Sequence, residues 1–415
     1  MDTRSNSKPP VRHVLFVDDE PQVLDGLRTR LQPLMGKWQM TFVDSGADAL
    51  SRFEKTPHDV IVSDISMPGM DGAQLLHAIS ERWPATIRIA LSSVTDGEQK
   101  MRLLPLAHQT LSKPCRPEQL EDAVVRSLQL REELTHPGVQ AVIGRIRQLP
   151  ARPQVFAQLQ VAMAKPNATA RDVARVIARD TALTVKVLQI ANSAFFRRAR
   201  RISNIEQAVL YLGFQTVRNL VMCAEVFARW PGRMRHAAVD LEDLQMHAQR
   251  TAAVAQALTA GTQFADDAVL AALLHDIGYW VLIQEYPREL EQAIELALAA
   301  DIALPQAENE ILGASHAEIG AYLLAIWGLP YAVVEAVAHH HRPTRVKSAG
   351  WDALSALAVS MALTGGDDTD GCARNLLPSS NVGAEYLESL NSPLSWQEAA
   401  SRARGCLERI AREAN

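Results

Sequence analysis

The spacing of apolar residues changes once along the chain. Up to about residue 130, short apolar runs alternate with stretches whose apolar positions recur every three or four residues. The runs Val14-Leu15-Phe16-Val17, Thr41-Phe42-Val43, Val60-Ile61-Val62, Ile87-Arg88-Ile89-Ala90-Leu91 and Gln109-Thr110-Leu111-Ser112 predict strands. Continuous aliphatic runs bounded by acids, Gly and Pro suit a sheet covered on both faces. Between them, Val23, Leu24, Leu27 and Leu31 share a helical face behind Pro21, and a second helix opens at Ala47 and runs toward Phe53. The alternation predicts an α/β doubly wound, five-stranded parallel sheet.

Past residue 139 no strand pattern recurs, and helix follows helix. Thr169-Ala170-Arg171-Asp172 reads as a helix start, Asp180 as the cap of the next helix, and Ser203-Asn204-Ile205-Glu206 as a capping box before Ala208, Val209 and Leu212, with Gly213 closing that helix. The second fold is therefore all-α and multi-helix. Leu120, Val124 and Leu128 place a helix over Pro117 to Leu134, long enough to connect the two before Pro137-Gly138. The expected organisation is a disordered start over 1–10, an α/β domain over 11–130, a connecting helix and linker over 117–138, and a helical domain over 139–345 with motifs to about 365. A loop beginning Gly365-Gly366-Asp367-Asp368 and a helix near Trp396 to Ala411 complete it over 366–415.

A chain of 415 residues is too long for one core, and 47% apolar residues suffice for two. Its net charge of −5 argues against general affinity for nucleic acid or anionic membrane. Cys115, Cys223, Cys372 and Cys406 are scattered without a CxxC pair and read as reduced thiols, so the expected location is the cytoplasm. The polar first ten residues carry no signal-peptide pattern, and no apolar run approaches a membrane span.

The candidate chemistry sits at the carboxyl ends of the predicted strands, where open α/β sheets bind ligands. Asp18-Asp19 ends the first run, Asp64 the third, Ser92 the fourth and Lys113 the fifth. Carboxylates this close raise each other's pKa unless a cation lies among them, and a hard ion such as Mg²⁺ suits oxygen ligands. An acid pair, a lone acid, a hydroxyl and a lysine in that order describe a phosphoryl-transfer site in which Asp64 is the nucleophile.

Those positions, together with Met67-Pro68-Gly69-Met70-Asp71-Gly72 and Lys113-Pro114, resemble the receiver domain of two-component response regulators. The resemblance implies a phosphoacceptor at Asp64, switch and phosphoryl-binding roles for Ser92 and Lys113, and Mg²⁺ held by Asp18, Asp19, Asp64 and the backbone carbonyl of Ser66. It also implies a sensor histidine kinase or phosphotransfer protein as donor. Thr110 stands where the family usually has an aromatic residue.

The second half resembles the HDOD domain, a helical signalling relative of HD phosphohydrolases. The resemblance is carried by Ile190-Ala191-Asn192-Ser193, Ile202-Ser203-Asn204-Ile205-Glu206-Gln207-Ala208-Val209, Leu274-His275-Asp276-Ile277-Gly278, Ser315-His316-Ala317-Glu318 and His339-His340-His341-Arg342-Pro343. By that likeness His247, His275, Asp276, His316, His340 and His341 form a vestigial HD-type site. Ser360 occupies the position of the distal acid, and Arg342-Pro343-Thr344 replaces the Gly-Tyr-Pro loop of cyclic-dinucleotide phosphodiesterases. The expected output is accordingly a non-catalytic module acting on an unidentified protein partner. The alternative is a metal-dependent phosphohydrolase or cyclic-dinucleotide phosphodiesterase gated by the receiver, whereas a transition metal held as a structural clamp belongs to the non-catalytic reading. A homodimer through the apolar helix faces is a further expectation. Arg197-Arg198-Ala199-Arg200-Arg201 reads as a solvated turn or an anion contact; no helix-turn-helix pattern is present and direct DNA binding is not expected.

Overall fold

The computed structural model describes residues 12–83, 85–93, 106–113, 115–145, 153–163, 165, 168–180, 183–185, 187–188, 202–229, 241–327, 329–346, 350–364 and 382–414. The chain divides into two compact units, Met1–Gln129 and Leu130–Asn415.

In the first unit β1 (Arg12–Val17), α1 (Pro21–Arg30), β2 (Trp38–Val43), α2 (Gly46–Lys55), β3 (Val60–Asp64), α3 (Gly72–Arg82), β4 (Ile87–Ser93) and β5 (Gln109–Lys113) build a five-stranded sheet of order β2-β1-β3-β4-β5. All four pairings are parallel. β3 lies in the middle and is buried along its whole length, which is why it reads as an unbroken apolar run. β2 is an edge strand with Gln39 exposed; it starts at Trp38, earlier than Thr41, because its first residue pairs with Arg12 of β1. Leu15, Val17, Phe53, Ile61, Leu75, Leu76 and Ile79 pack one core between sheet and helices.

α4 (Pro117–Leu134) begins in the first unit and ends in the second. The segment expected as a linker is helical almost at once: Pro137 starts α5 (Pro137–Arg145). A Cβ on Gly138 would stand 2.5 Å from the Gly313 carbonyl oxygen, so the missing side chain lets α5 pack close.

The second unit continues with α6 (Gln154–Met163), α7 (Ala170–Ile177), α8 (Ile205–Leu212), α9 (Phe214–Arg229), α10 (Leu241–Thr259), α11 (Ala265–Leu274), α12 (Gly278–Glu285), α13 (Pro287–Ala300) and α14 (Leu304–Leu312). It closes with α15 (His316–Ile326), α16 (Tyr331–His339), α17 (Ala353–Thr364), α18 (Ala384–Ser389) and α19 (Trp396–Ala414). Thr169 and Asp172 form a reciprocal capping box on α7, and Asp180 accepts from the Leu183 backbone N–H at 2.9 Å. At α8 the cap is Asn204 and not Ser203. Asn204 Oδ1 accepts from Gln207 N at 2.8 Å, while Ser203 reaches Gln207 Oε1. Gly213 ends this helix at φ 85°, a conformation that glycine adopts without a Cβ penalty.

The crossing of α12 and α15 positions the second site. A Cβ on Gly278 would overlap the His316 carbonyl, and one on Gly320 would crowd Gly278 N at 3.0 Å. Small residues on both faces let the two backbones touch. No helix among the described residues is long and apolar enough to cross a membrane.

This contact generates a prediction. Gly278→Ala should destabilise the helical unit by on the order of 3 kcal/mol, outweighing the roughly 1 kcal/mol by which Ala favours a helix over Gly. A urea unfolding midpoint unchanged from the wild type would contradict the close crossing.

Candidate functional site

The first site is an acidic pocket at the carboxyl edge of the sheet. β1 and β3 pair with Val17 opposite Ser63, so the next residues, Asp18 and Asp64, arrive level on neighbouring strands. Both are buried, at 1% and 6% exposure. Asp18 Oδ1 also accepts from the Glu20 backbone N–H at 3.1 Å, which turns the chain and leaves Asp19 half-buried at the rim. Ligand oxygens of Asp18, Asp19 and Asp64 lie within 4.8 Å of one another.

Lys113 enters from β5, with β4 between it and Asp64. Its Nζ lies 2.7 Å from Asp18 Oδ2 and 2.8 Å from Asp64 Oδ1. Burial works against the ammonium, but its bonds to the two carboxylates outweigh that and hold its pKa above the ordinary lysine value. One ammonium facing three carboxyl groups leaves the pocket short of positive charge. A hard divalent cation with oxygen ligands fits that donor set.

The loop after Asp64 is shaped by the residues that mark it in the sequence. Ile65 O accepts from Met67 N at 3.2 Å and Gly72 N at 2.9 Å, and Gly69 takes φ 76°. Asp71 and Gln74 form a capping box that starts α3. A Cβ on Gly72 would collide with the Asp64 carbonyl, so only glycine lets α3 begin directly beneath the strand end. Ser66 is exposed two residues beyond Asp64. Ser92 lies in β4 opposite Ser112, but its side chain, like that of Thr110, is outside the described residues.

The second site is a buried histidine cluster. His275 and His340 are the C-caps of α11 and α16, and each turns Nδ1 onto the carbonyl three residues back: Ala272 O at 2.8 Å and Val337 O at 2.7 Å. A carbonyl only accepts, so Nδ1 carries the proton, and in the neutral ring Nε2 is a bare lone pair pointing away from the helix. His316 is the first residue of α15, and Glu308 Oε2 accepts from its Nδ1 at 2.7 Å and from its backbone N at 2.8 Å.

All three Nε2 atoms face Asp276. Oδ2 stands 3.0 Å from His275 Nε2; Oδ1 stands 3.5 Å from His316 Nε2 and 3.9 Å from His340 Nε2. His341 Nε2 is 2.9 Å from His316 Nε2, and the His247 ring meets His275 edge-on at 5.3 Å. Ligand atoms of Asp276, His316, His340 and His341 lie within 4.8 Å of one another, as do those of His247, His275 and Asp276. Asp276 therefore belongs to two groups, one on each oxygen.

Burial tends to raise the Asp276 pKa, but the imidazoles of His275, His316 and His340 hold its carboxyl well below the usual range. Burial also drives His340 and His341 well below ordinary histidine, and so keeps them as neutral ligands. His316 goes the other way. Burial opposes its charge, yet Glu308 and Asp276 on either side raise its pKa. Among the described residues, neither Asp276 oxygen, nor Nε2 of His275 or His340, has a hydrogen-bond partner. Lone pairs aimed at a buried carboxylate repel unless a cation lies among them, and imidazole with carboxylate suits a borderline divalent transition ion.

Asp18, Asp19, Asp64 and Lys113 meet in the first unit, and His247, His275, Asp276, His316, His340 and His341 in the second. Glu308 and Tyr279, whose ring stacks on His316 at 4.1 Å, were not anticipated. Glu308 lies in Leu304-Pro305-Gln306-Ala307-Glu308-Asn309-Glu310, where an acid on an amphipathic helix looks like a solvated one; the available signal is its apolar neighbour Ala307 and a spacing of eight to His316. Ser360 supplies no ligand charge, and its hydroxyl donates to Ala356 O at 2.7 Å. Asp352 is occupied at the start of α17, accepting from Ser355 N at 2.9 Å. Asp367, Asp368 and the 197–201 basic cluster lie outside the described residues.

Comparison with known proteins agrees with this division. The response regulator receiver domain model matches residues 14–125, and the HDOD domain model matches residues 149–343. The chain is 28% identical over 222 residues to an uncharacterized protein of Treponema pallidum, covering 52% of this chain and 42% of that protein. It is 34% identical over 118 residues to the hydrogenase transcriptional regulatory protein HoxA of Cupriavidus necator, covering 28% of this chain and 24% of that one. The chain spans less than half the length of these two relatives. An HDOD domain protein of Geobacter sulfurreducens, at 23% identity, superposes with a TM-score of 0.50 over 69% of this chain and 94% of its own, a likeness of fold. The chain thus carries a response regulator receiver domain over residues 14–125 followed by an HDOD domain over residues 149–343.

Proposed function

We propose that this is a phosphorylation-controlled regulator in which Asp64 accepts a phosphoryl group and the HDOD domain alters its engagement of a partner protein. The observation that carries it is Lys113 Nζ, seated 2.7 Å from Asp18 and 2.8 Å from Asp64. The same ammonium is placed to meet phosphoryl oxygens on Asp64. Asp64 attacks the phosphorus of a donor phosphohistidine on a sensor kinase or phosphotransfer protein; the P–N bond breaks and an acyl phosphate forms. Asp18, Asp19, Asp64 and the Ser66 carbonyl would hold Mg²⁺, which neutralises charge on the transferring group. Ser92 would hydrogen-bond the product. On this reading the protein works in the cytoplasm, beside the kinase domain that would supply the phosphoryl group.

A route toward the output runs along α4. Its last turn belongs to the helical unit, with Leu130 and Leu134 buried. Glu133 Oε2 lies 3.2 Å from His339 Nε2, immediately before His340, and Glu133 Oε1 lies 3.6 Å from Arg345.

A second reading is favoured by the inward-facing Nε2 atoms: the HDOD cluster is a metal centre, as a structural clamp or as a phosphohydrolase site. There a bound ion would activate water for attack on a phosphate ester. The missing acid at Ser360 favours the clamp.

Acetyl phosphate with Mg²⁺ should label the wild-type chain and leave Asp64→Asn unlabelled, and label retained in that variant would remove Asp64 from its role. Mg²⁺ at about a hundred times its dissociation constant should stabilise the receiver by about 2.7 kcal/mol, with the gain abolished in Asp18→Ala and measured as a shift in thermal melting. Metal analysis of the full chain, followed by assay on a cyclic dinucleotide, separates the remaining readings. Turnover lost in His275→Ala establishes an enzyme, stoichiometric metal without turnover a clamp, and a metal-free protein the simple binding module.

A further inference from the structure

We propose that Glu308 is the positioning residue of the histidine cluster. It holds His316 so that Nε2 becomes one of four ligand atoms, with those of Asp276, His340 and His341, for one divalent transition-metal ion. This rests on the metal-centre reading above.

The argument begins with the ends of helices. His275 and His340 terminate α11 and α16, where carbonyls left over by the helix face outward, and each ring is oriented by one of them. His316 begins α15, where the backbone presents N–H groups and no free carbonyl. The same ring orientation there requires an acceptor from elsewhere, and α14 supplies it as Glu308. Its Oε2 takes both the Nδ1 proton and the backbone N–H of a single residue, at 2.7 and 2.8 Å.

The start of α15 does not need this carboxylate for capping, because Ser315 and Glu318 already form a reciprocal box. Glu308 is nevertheless completely buried. Carrying a carboxylate out of water costs several kcal/mol unless it is well compensated. Its placement makes sense as the outer partner of a ligating imidazole, fixing the tautomer and raising the basicity of Nε2. Tyr279 completes the clamp, stacked 16° from parallel on the His316 ring. Carboxylate and phenol together leave His316 one direction for Nε2, toward Asp276 Oδ1 and His341 Nε2. Three imidazoles and one carboxylate select a borderline ion over Mg²⁺, which prefers an all-oxygen shell.

The test uses the full chain, stripped with a chelator and titrated with Co²⁺ in excess Mg²⁺ so that the acidic pocket is occupied. Visible d–d absorption and equilibrium dialysis report binding. The wild type should take up Co²⁺ with nitrogen-ligand absorption, and His316→Ala should lose it. Glu308→Ala should bind about 10–100-fold more weakly. Glu308→Gln, whose amide oxygen keeps both N–H partners without the charge, should fall between. Wild-type affinity in Glu308→Gln and Glu308→Ala, with binding lost in His316→Ala, would overturn the positioning role and leave the metal centre standing. Should Glu308→Ala not fold, Glu308→Gln at wild-type affinity overturns it alone. If the wild type takes up no Co²⁺, the metal-centre reading falls and this inference with it.

Discussion

In both units an acid is carried out of water at the end of a backbone element, and the surroundings are arranged to supply positive charge. Asp64 ends a central strand and meets the ammonium of Lys113. Asp276 follows a helix end and meets imidazoles on two of its sides. Burying such groups is costly unless they are paired, and the pairing sets what each site can do. In the receiver the pairing cation is a lysine, a compact charge on a flexible stem. In the HDOD domain the partners are rings pinned at Nδ1, which leaves them little freedom to move.

That pinning depends on backbones brought unusually close. Gly72 sits under the Asp64 carbonyl and Gly278 against the His316 carbonyl, so in each unit a helix starts at the surface of a residue of the candidate site. Side chains in those places would push the strand end from its loop or α12 from α15. Helix polarity does the rest. C-terminal carbonyls orient His275 and His340, while the N-terminal position of His316 calls on a carboxylate from a third helix.

The departures from HD hydrolases also have physical content. Ser360 is buried and bonded to its own helix at Ala356 O, so it cannot replace a carboxylate in balancing a cation. Asp352 serves as a cap. The cluster is a nitrogen-rich set around one central acid, Asp276.

The acids at strand ends, the lysine that ends β5 and the Pro-Gly-Met-Asp-Gly punctuation were legible in the sequence because each is a local signal: a buried run must end, and what ends it lies at the sheet's edge. The helix starts at Thr169 and Asp180 were legible for the same reason, while at α8 the neighbouring residues Ser203 and Asn204 compete for one cap and only the backbone chooses Asn204. His275, Asp276, His316, His340 and His341 could be named from motif likeness, but not the direction each ring faces. That direction follows from which helix end each occupies and which acceptor lies across the packing. Glu308 belongs wholly to this second class. Its sequence neighbours say amphipathic helix, and only the packing of α14 on the start of α15 turns an ordinary-looking glutamate into a buried partner of His316, since hydrogen bonds between helices depend on distances that chain order does not encode.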